Sequence, residues 1–514
     1  MHGKQNHSMF WAGVVLVVGF APNLLGVVSL PLPPKGDSYY IKGWKHDIVE
    51  VIPANLGHGT LDFVAKSYII TSGTMFIEAR GINANDPDGA FLWQYDTRLT
   101  SKWTQDESGT HEMVIPWDID GDGIDEVMTM WFDTTTTQPT PYVVVLDGKT
   151  GLEKGKCKLP PGGGETGLGY GPGLGNHYCT IAYLDGPNGR PYFCISNGEY
   201  EDGAVWAFYW DNQSKQIALK WQYNHTSIHQ GWMKKNLGTG NHGLQARDIN
   251  GDGRDEIIYG GTMVSADGAK IWSLSDLYAI GHVDGVTVGY LNPAVPGMQI
   301  YYHTSIGNPV RAMMVKASDG SVIWRQDGGS YPDDIHHGWC CKIRADLPGW
   351  QCRAWSKLNA KAPNSGMDKI FGSDGTDLHL GGEIGGADTY HRPPEWTGDD
   401  IYEFDPPMIC WTHGSNIPQG WSYAADVGGG PMHGAEEIIS VPLDGHGRTV
   451  QIRFNLNAKL YPSRWANRHY RQDVTSFGSG YGSMRLTPQV VNDPPAAQTA
   501  PGHEAIELES SSCP

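Results

Sequence analysis

Residues Asp118–Met130 read DIDGDGIDEVMTM, and residues Asp248–Gly260 read DINGDGRDEIIYG. Each joins a turn of Asp, Asn and Gly to a run of β-branched, aromatic or sulfur side chains, the signature of a tight turn feeding a strand. Looser copies stand at Leu291–Tyr302 (LNPAVPGMQIYY) and Asp426–Ser440 (DVGGGPMHGAEEIIS). Working outward, segments that begin near His111, His177, His242, Asp284, His336 and Gly420 each run through a short strand, a turn and a second strand. A second turn also recurs, with Asp-Gly shortly before Trp: Asp88–Gly89 and Trp93, Asp267–Gly268 and Trp272, Asp319–Gly320 and Trp324. Asp-Gly is a strong hairpin signal.

Two hairpins per repeat make four strands, and a four-stranded sheet repeated radially is a propeller blade. The sequence therefore predicts an all-β fold, a single β-propeller with four-stranded antiparallel blades, over residues 30–487. Six repeats plus the region Ile41–Arg80 predict seven blades, with eight as the alternative. A pair of β-sandwiches is the competing architecture, but it does not repeat one turn chemistry at blade-length intervals.

Composition narrows the function. The chain has 514 residues with 68 Gly, 19 Trp and 24 Tyr, which fits a turn-rich folded protein rather than a solvated one. A net charge of -19 repels a phosphate backbone, so nucleic acid is excluded as a general partner. An acidic ligand then needs a local basic pocket. Lys4, the apolar run Met9–Phe20, the breakers Pro22 and Asn23 and the stretch to Leu30 read as a signal peptide over residues 1–29, with a signal anchor as the alternative. The expectation is a secreted, extracellular monomer with no membrane attachment after cleavage. Sequons at Asn212 and Asn224 agree with that address, and the Pro-rich stretch 488–514 predicts a disordered tail.

None of the eight cysteines forms a C-x-x-C motif, so disulfides are their expected use. Cys179 and Cys194 flank a short turn, and Cys340 or Cys341 stands similarly to Cys352. Both spacings predict bridges across neighbouring strands.

The acidic turns suggest Ca²⁺, a hard cation that takes oxygen ligands. Asp118, Asp120, Asp122 and Glu126 occupy alternating turn positions, with Gly123 for the bend and the Ile124 carbonyl as a further ligand. Asp248, Asn250, Asp252, the Arg254 carbonyl and Glu256 repeat the design. The expected role is structural, clamping turns; a metal-free polar turn is the alternative.

The histidines suggest chemistry. His177, His242, Asp284 and His336 stand at matched distances before the end of each repeat's first strand, and His111 is offset by one. First strands line a propeller's axis, so this register gathers imidazoles at one face, where their near-neutral titration suits proton transfer. Asn176 and Asn241 adjoin two of these rings, and His282, His337 and Arg344 extend the candidate substrate-binding set. Turn capping by each His, and an Arg344–Asp346 pair, are the structural alternatives.

The run Gly240–Gly268 (GNHGLQARDINGDGRDEIIYGGTMVSADG), with GHVDGVTVGYLNPAVPGMQIYY after it, resembles the propeller of the rhamnogalacturonan lyases, calcium-binding pectin lyases with eight blades. GNHYCTIAYLDG and RHYRQDVTSFGSGYG extend the resemblance over much of residues 100–485. Two departures stand out: the mature chain is expected to begin almost at once with blade-like strands where that family opens with a fibronectin-like domain, and Leu291–Gly297 lacks the acidic ligands. In those respects the chain is also similar to the secreted fungal lyases that remove L-rhamnose from α-1,4-linked D-glucuronate of arabinogalactan.

Either resemblance implies β-elimination at a rhamnosyl-α-1,4-uronate bond of an acidic plant polysaccharide, with the glucuronate of gum arabic as the first expectation and pectin as the alternative. Elimination needs a neutralised carboxylate, a base at C5 and an acid at the departing oxygen. The expected proton-transfer groups are His111 first, with His177 or His242 as partner; Arg344 or the paired Asn side chains would hold the carboxylate. A non-catalytic calcium-binding carbohydrate-binding propeller and a quinoprotein dehydrogenase are the rival classes.

Overall fold

A computed structural model describes residues 28–35, 38–69, 74–83, 86–99, 112–135, 139–163, 177–198, 203–225, 243–304, 309–327, 337–344, 346–355, 368–379, 422–425, 437–440, 448–454 and 468–476. The signal-peptide reading, apart from residues 28 and 29, and the tail reading both fall outside these residues. Among them, no helix is long and apolar enough to cross a membrane.

The strands are β1 (Ser38–Ile41), then β2 (Asp47–Ala54), β3 (Asp62–Ile69), β4 (Thr74–Asn83) and β5 (Asp86–Asp96). Next come β6 (Val114–Trp117), β7 (Glu126–Asp133), β8 (Thr140–Leu146) and β9 (Glu153–Lys158), followed by β10 (His177–Ala182), β11 (Tyr192–Asn197), β12 (Gly203–Asp211) and β13 (Gln216–His225). The chain continues with β14 (Leu244–Arg247), β15 (Glu256–Tyr259), β16 (Thr262–Val264), β17 (Lys270–Ser273) and the short helix α1 (Leu274–Tyr278). Then follow β18 (Val283–Gly289), β19 (Gln299–Thr304), β20 (Val310–Lys316), β21 (Val322–Asp327), β22 (His337–Cys341), β23 (Gln351–Trp355) and β24 (Asp368–Phe371). Last are β25 (Ser422–Ala425), β26 (Glu437–Ser440), β27 (Val450–Arg453) and the helix α2 (Arg468–Ser476).

Among the described residues these strands make six four-stranded sheets and one of three strands, β22–β24. The described pairings are antiparallel between chain neighbours, except that β1 adds itself beside β27 in the order β1-β27-β26-β25. Each repeat start read from the sequence opens a sheet of its own. The all-β expectation with four-stranded antiparallel sheets is therefore met.

The order of burial explains the sheets' orientation. β6, β10, β14 and β18 are buried along their whole length, whereas the fourth strands β9 and β13 alternate between partial and full exposure. Runs such as VDGVTVG are packed on both faces, so they carry no strict apolar-polar alternation. First strands also lie side by side: β2 against β6, β6 against β10, β10 against β14, and β18 against β22.

The recurring Trp ties one sheet to the next. Trp93 on β5 donates its indole N–H to Gly148 O at 2.7 Å, in the turn between β8 and β9. Trp221 reaches Ala266 O, Trp272 reaches Ala317 O and Trp324 reaches Ser373 O, in the corresponding turns further along the chain. The ring lies on the turn glycine: a Cβ at Gly151 (φ +68) would sit 2.5 Å from the Trp93 ring, and one at Gly375 (φ +86) 2.6 Å from Trp324. Glycine is needed there for both the backbone and the close approach.

Two sequence expectations are corrected. Asp88–Gly89 is no hairpin turn; both residues lie inside β5, where the pairing slips between Gly81 and Asn83. Cys179 and Cys194 are buried and are not bridged to each other. The register sets Cys194 opposite Thr180, one residue off, so the two thiols point to opposite faces and join different core clusters. Cys340 faces Cys352 directly across β22 and β23 and is joined to it by a disulfide, so of the two adjacent cysteines it is Cys340 that makes this bridge.

Candidate functional site

The leading ends of β6 and β10 meet, as do those of β18 and β22. His177, the first residue of β10, is fully buried there, and its Nδ1 lies 2.8 and 3.1 Å from the two carboxylate oxygens of Glu112. The carboxylate accepts from Nδ1–H, which leaves Nε2 with the lone pair. That Nε2 has no hydrogen-bond partner among the described residues. Glu112 sits just before β6, and its carbonyl accepts from Lys66 Nζ at 3.0 Å. Lys66 in turn is ion-paired with Glu50 on β2. All four side chains are at most 1% exposed, so three sheets contribute to one sealed polar chain.

Keeping such groups out of water is expensive, and a buried pair gives little net stability. Buried polar groups that serve no packing need point to function.

A second imidazole cluster stands at the leading end of β18. His282 Nε2 is 3.1 Å from Asp284 Oδ1, both buried. His303 on β19 packs where Gly285 and Gly338 lack side chains; a Cβ on Gly285 would meet its Nε2 at 1.8 Å. His337 opens β22 opposite Trp355. The candidates His111, Asn176, Asn241, His242 and His336 lie outside the described residues.

Arg344 is a correction. It follows β22 rather than lying in it, at the trailing end, and grips Asp346 in a bidentate pair at 2.7 and 2.6 Å. Side-chain exposures of 45% and 63% put the pair on the surface, and an acid two residues away satisfies the guanidinium without a ligand.

The acidic turns also occupy the trailing ends, after β6 and after β14. In the first turn Asp118 accepts the N–H groups of Gly121, Asp122 and Gly123, Asp122 accepts Ile124 N–H, and Glu126 accepts Ile119 N–H. Asp120 Oδ2 and Glu126 Oε1 each hold Lys154 Nζ at 2.7 Å. Burial pushes Glu126 up to about 7 even with Lys154 beside it. Burial also opposes the Lys154 charge, but the two carboxylates outweigh it and hold that amine above its ordinary value. This turn already contains its cation and does not fit a divalent one, although Asp118, Asp120 and Glu126 lie close enough together for a metal.

The second turn differs. Asp248 accepts Gly251 and Gly253 N–H, Glu256 accepts Ile249 N–H, and the Asn250 amide reaches Asp252 and Glu256. Arg254 turns away to Asp267 and Leu184 O. Burial, with the fields of Asp252 and Asp248, pushes Glu256 up to about 7. Among the described residues no Lys or Arg reaches its carboxylate, so Asp248, Asn250, Asp252 and Glu256 are the residues that could hold a Ca²⁺ ion.

Helix α2 caps the trailing ends. Arg471 lies 3.6 Å from Asp125 and Arg468 3.3 Å from Asp255, the matching Asp of the two turns. Gln472 donates to Ile181 O and Asp255, Asp473 pairs with the buried Arg247, and Ser476 bonds Thr180. Those two Asp residues also stitch neighbouring sheets, since Asp125 accepts Asn55 N–H at 2.7 Å and Asp255 accepts Tyr183 N–H at 2.7 Å.

Glu50, Lys66 and Glu112 are absent from the sequence candidates. Their signal was present: an acid and a lysine in otherwise apolar strands, IVEV and FVAKSY, and an acid directly after His111.

Residues 133–379 match Rhamnogalacturonan lyase family 11, C-terminal domain. Over 294 residues the chain is 27% identical to the Rhamnogalacturonan exolyase YesX of Bacillus subtilis (strain 168), covering 52% of this chain and 45% of that protein. It is 26% identical to the Rhamnogalacturonan endolyase YesW of the same organism over 54% of this chain and 46% of that one. Over these stretches the chain is similar to the rhamnogalacturonan lyases. It spans about half the length of these two curated lyases in the matched alignments. The fold agrees over a longer stretch: the crystal structure of the rhamnogalacturonan lyase YesW superposes with a TM-score of 0.66 at 19% identity, covering 91% of this chain and 82% of that one. The Bacillus licheniformis Rhamnogalacturonan Lyase PL11 gives 0.65 at 19%, covering 91% and 80%. The lyase-family stretch takes in His177, His282 and the second acidic turn but begins after Glu112 and the first.

Proposed function

We propose that this chain is a polysaccharide lyase that cleaves the rhamnosyl-α-1,4-galacturonate bond of pectic rhamnogalacturonan by β-elimination. The observation that carries the reading is the similarity to two proteins named as rhamnogalacturonan lyases, over about half of the chain in each case. It favours galacturonate over the glucuronate expected first. The seven sheets are read as the blades of one propeller, a reading supported by the addition of β1 to the C-terminal sheet and by the side-by-side first strands.

Within this reading the leading ends form the substrate face. His177 is the proton acceptor at C5: Glu112 fixes its Nδ1–H, and Nε2 faces no protein partner among the described residues. The ring is sealed from bulk water, so the glycan must open the covering to reach it, and the proton then transfers in a dry setting. His111 or His242 returns a proton to the departing oxygen, and Asn176 and Asn241 hold the uronate carboxylate. Asp248, Asn250, Asp252 and Glu256 would hold a Ca²⁺ ion, whose charge would stiffen the trailing turn. Secretion after removal of residues 1–29 and a monomeric state complete the proposal.

The test is one assay with two substrates. Purified protein is incubated with rhamnogalacturonan and with gum arabic while the ultraviolet absorbance of the new C4–C5 double bond is followed. Signal on rhamnogalacturonan alone is expected. Signal on gum arabic alone restores the glucuronate reading, and sugar binding without a double bond on either would leave a non-catalytic binding protein.

A further inference from the structure

Five sheets carry the same irregularity between their third and fourth strands. In β8–β9 the pairs are Val145↔Gly155 and Leu146↔Glu153, so Lys154 is the extra residue of a bulge. The extra residue is Leu92 in β4–β5, Lys220 in β12–β13, Ile271 in β16–β17 and Ile323 in β20–β21. Lys154 and Lys220 both lie over the first turn of their own sheet. Lys154 joins Asp120 to Glu126, and Lys220 meets Asp185 and the Tyr192 hydroxyl.

The partner on the second strand changes in step. Its first residue is Glu126, Tyr192, Glu256, Gln299 or Gln351. Where it is glutamine, the amide fills the turn by itself: Gln299 accepts Asn292 N–H and donates to Val295 O and Gly297 O, and Gln351 accepts Ile343 and Arg344 N–H and donates to Gly349 O. Where it is glutamate, the side chain has no N–H of its own to bridge the turn, and its partner must come from elsewhere. The β6–β9 sheet supplies one at the bulge; the β14–β17 sheet has Ile271 there, 46% exposed and unable to do so.

We propose that Lys154 is a tethered counter-ion that replaces a divalent cation in the turn Asp118–Glu126, so that this turn binds no metal. The ammonium takes one oxygen from each of Asp120 and Glu126, the contact that the second turn lacks. The Trp210 ring, 5.6 Å from Lys154 Nζ, borders the same amine from the next sheet, and Asn212 Nδ2 of that sheet donates to Asp120 O at 2.8 Å. A covalently held cation is not lost to a chelator. Turns of similar sequence thus respond differently to metal because of one residue on a distant strand.

The experiment counts bound Ca²⁺ per chain by equilibrium dialysis and reads the thermal midpoint with Ca²⁺ and with chelator. It compares the full-length protein with Glu126→Gln, Asp120→Asn, Lys154→Met and Lys154→Met/Glu126→Gln. The unaltered protein, Glu126→Gln and Asp120→Asn should bind the same number of ions. Lys154→Met should gain one ion and a new Ca²⁺-dependent rise in midpoint, both removed by adding Glu126→Gln. Loss of a bound ion in Glu126→Gln or Asp120→Asn would overturn the proposal, as would a folded Lys154→Met that gains none. Should Lys154→Met not fold without Ca²⁺ but fold with it, the proposal stands; the dialysis counts on the two acid variants decide it independently.

Discussion

His177 Nδ1 lies 2.8 Å from Glu112 Oε2, with both side chains sealed from solvent at the leading ends of two adjacent sheets. A neutral amide in place of Glu112 keeps the size but loses the charge and the fixed ring orientation. Glu112→Gln should therefore lower kcat by about 10²-fold or more while leaving KM within a small factor, since positioned proton transfer is typically worth that much. Steady-state kinetics on rhamnogalacturonan check it, with circular dichroism confirming the fold. A loss confined to KM would show that the pair binds substrate and moves no proton.

Arg247 and Asp473 form an ion pair that is at most 2% exposed and docks α2 on the trailing ends. Removing one member leaves a buried charge unpaired, so Asp473→Ala should cost about 3–5 kcal/mol in urea unfolding. The double variant Arg247→Met/Asp473→Leu should recover much of it. Protease cutting should appear first at α2 in the single variant.

Asp185 has its carboxyl held below the usual range: burial alone would raise it, but Lys220 and the Tyr192 hydroxyl outweigh that. As pH falls, the unfolded chain takes up its proton first, so the stability from this contact is present at neutral pH. It fades as pH drops through the ordinary carboxylate value towards the depressed one. Asp185 is 44% exposed, so solvent screens the contact and Lys220→Met should cost about 1 kcal/mol or less at pH 7. Denaturant midpoints at neutral and acid pH should show the gap closing in acid.

Gly151 sits at φ +68 beneath the Trp93 ring. Alanine there meets both a left-handed backbone and the indole, so Gly151→Ala should destabilise by about 1–3 kcal/mol. Trp93→Phe, which loses the bond to Gly148 O, should cost about 1 kcal/mol by the same unfolding assay. If Gly151→Ala proved neutral, the indole would not be pressed on the turn.

Much of the fold was legible because its repeat is written in turn chemistry. The DIDGDG and DINGDG turns and the Asp-Gly-to-Trp spacing are local patterns, and each repeat start opens a sheet. The sequence also misled where register decided the outcome: Cys179 and Cys194 look like hairpin partners, yet a single-residue offset sends them to opposite faces. Arg344 reads from sequence either as a ligand-binding cation or as a partner of Asp346, and the structure takes the second. For the site, His177 was readable from its matched position, but Glu112, Lys66 and Glu50 were not, because their meeting depends on three sheets packing together. The Lys154 contact was hidden for the same reason: it lies 28 residues from Glu126 and depends on a bulge.

The pairing of β1 with β27, Tyr39 opposite Ile452, joins chain positions more than 400 residues apart. A nascent chain leaves the ribosome with Ser38–Ile41 long before Val450–Arg453 has been synthesised. Until then the early strand waits as an open edge, able to pair with the wrong neighbour. Premature termination anywhere before residue 450 would strand it there permanently, so a translation error far downstream would be felt at the beginning of the protein.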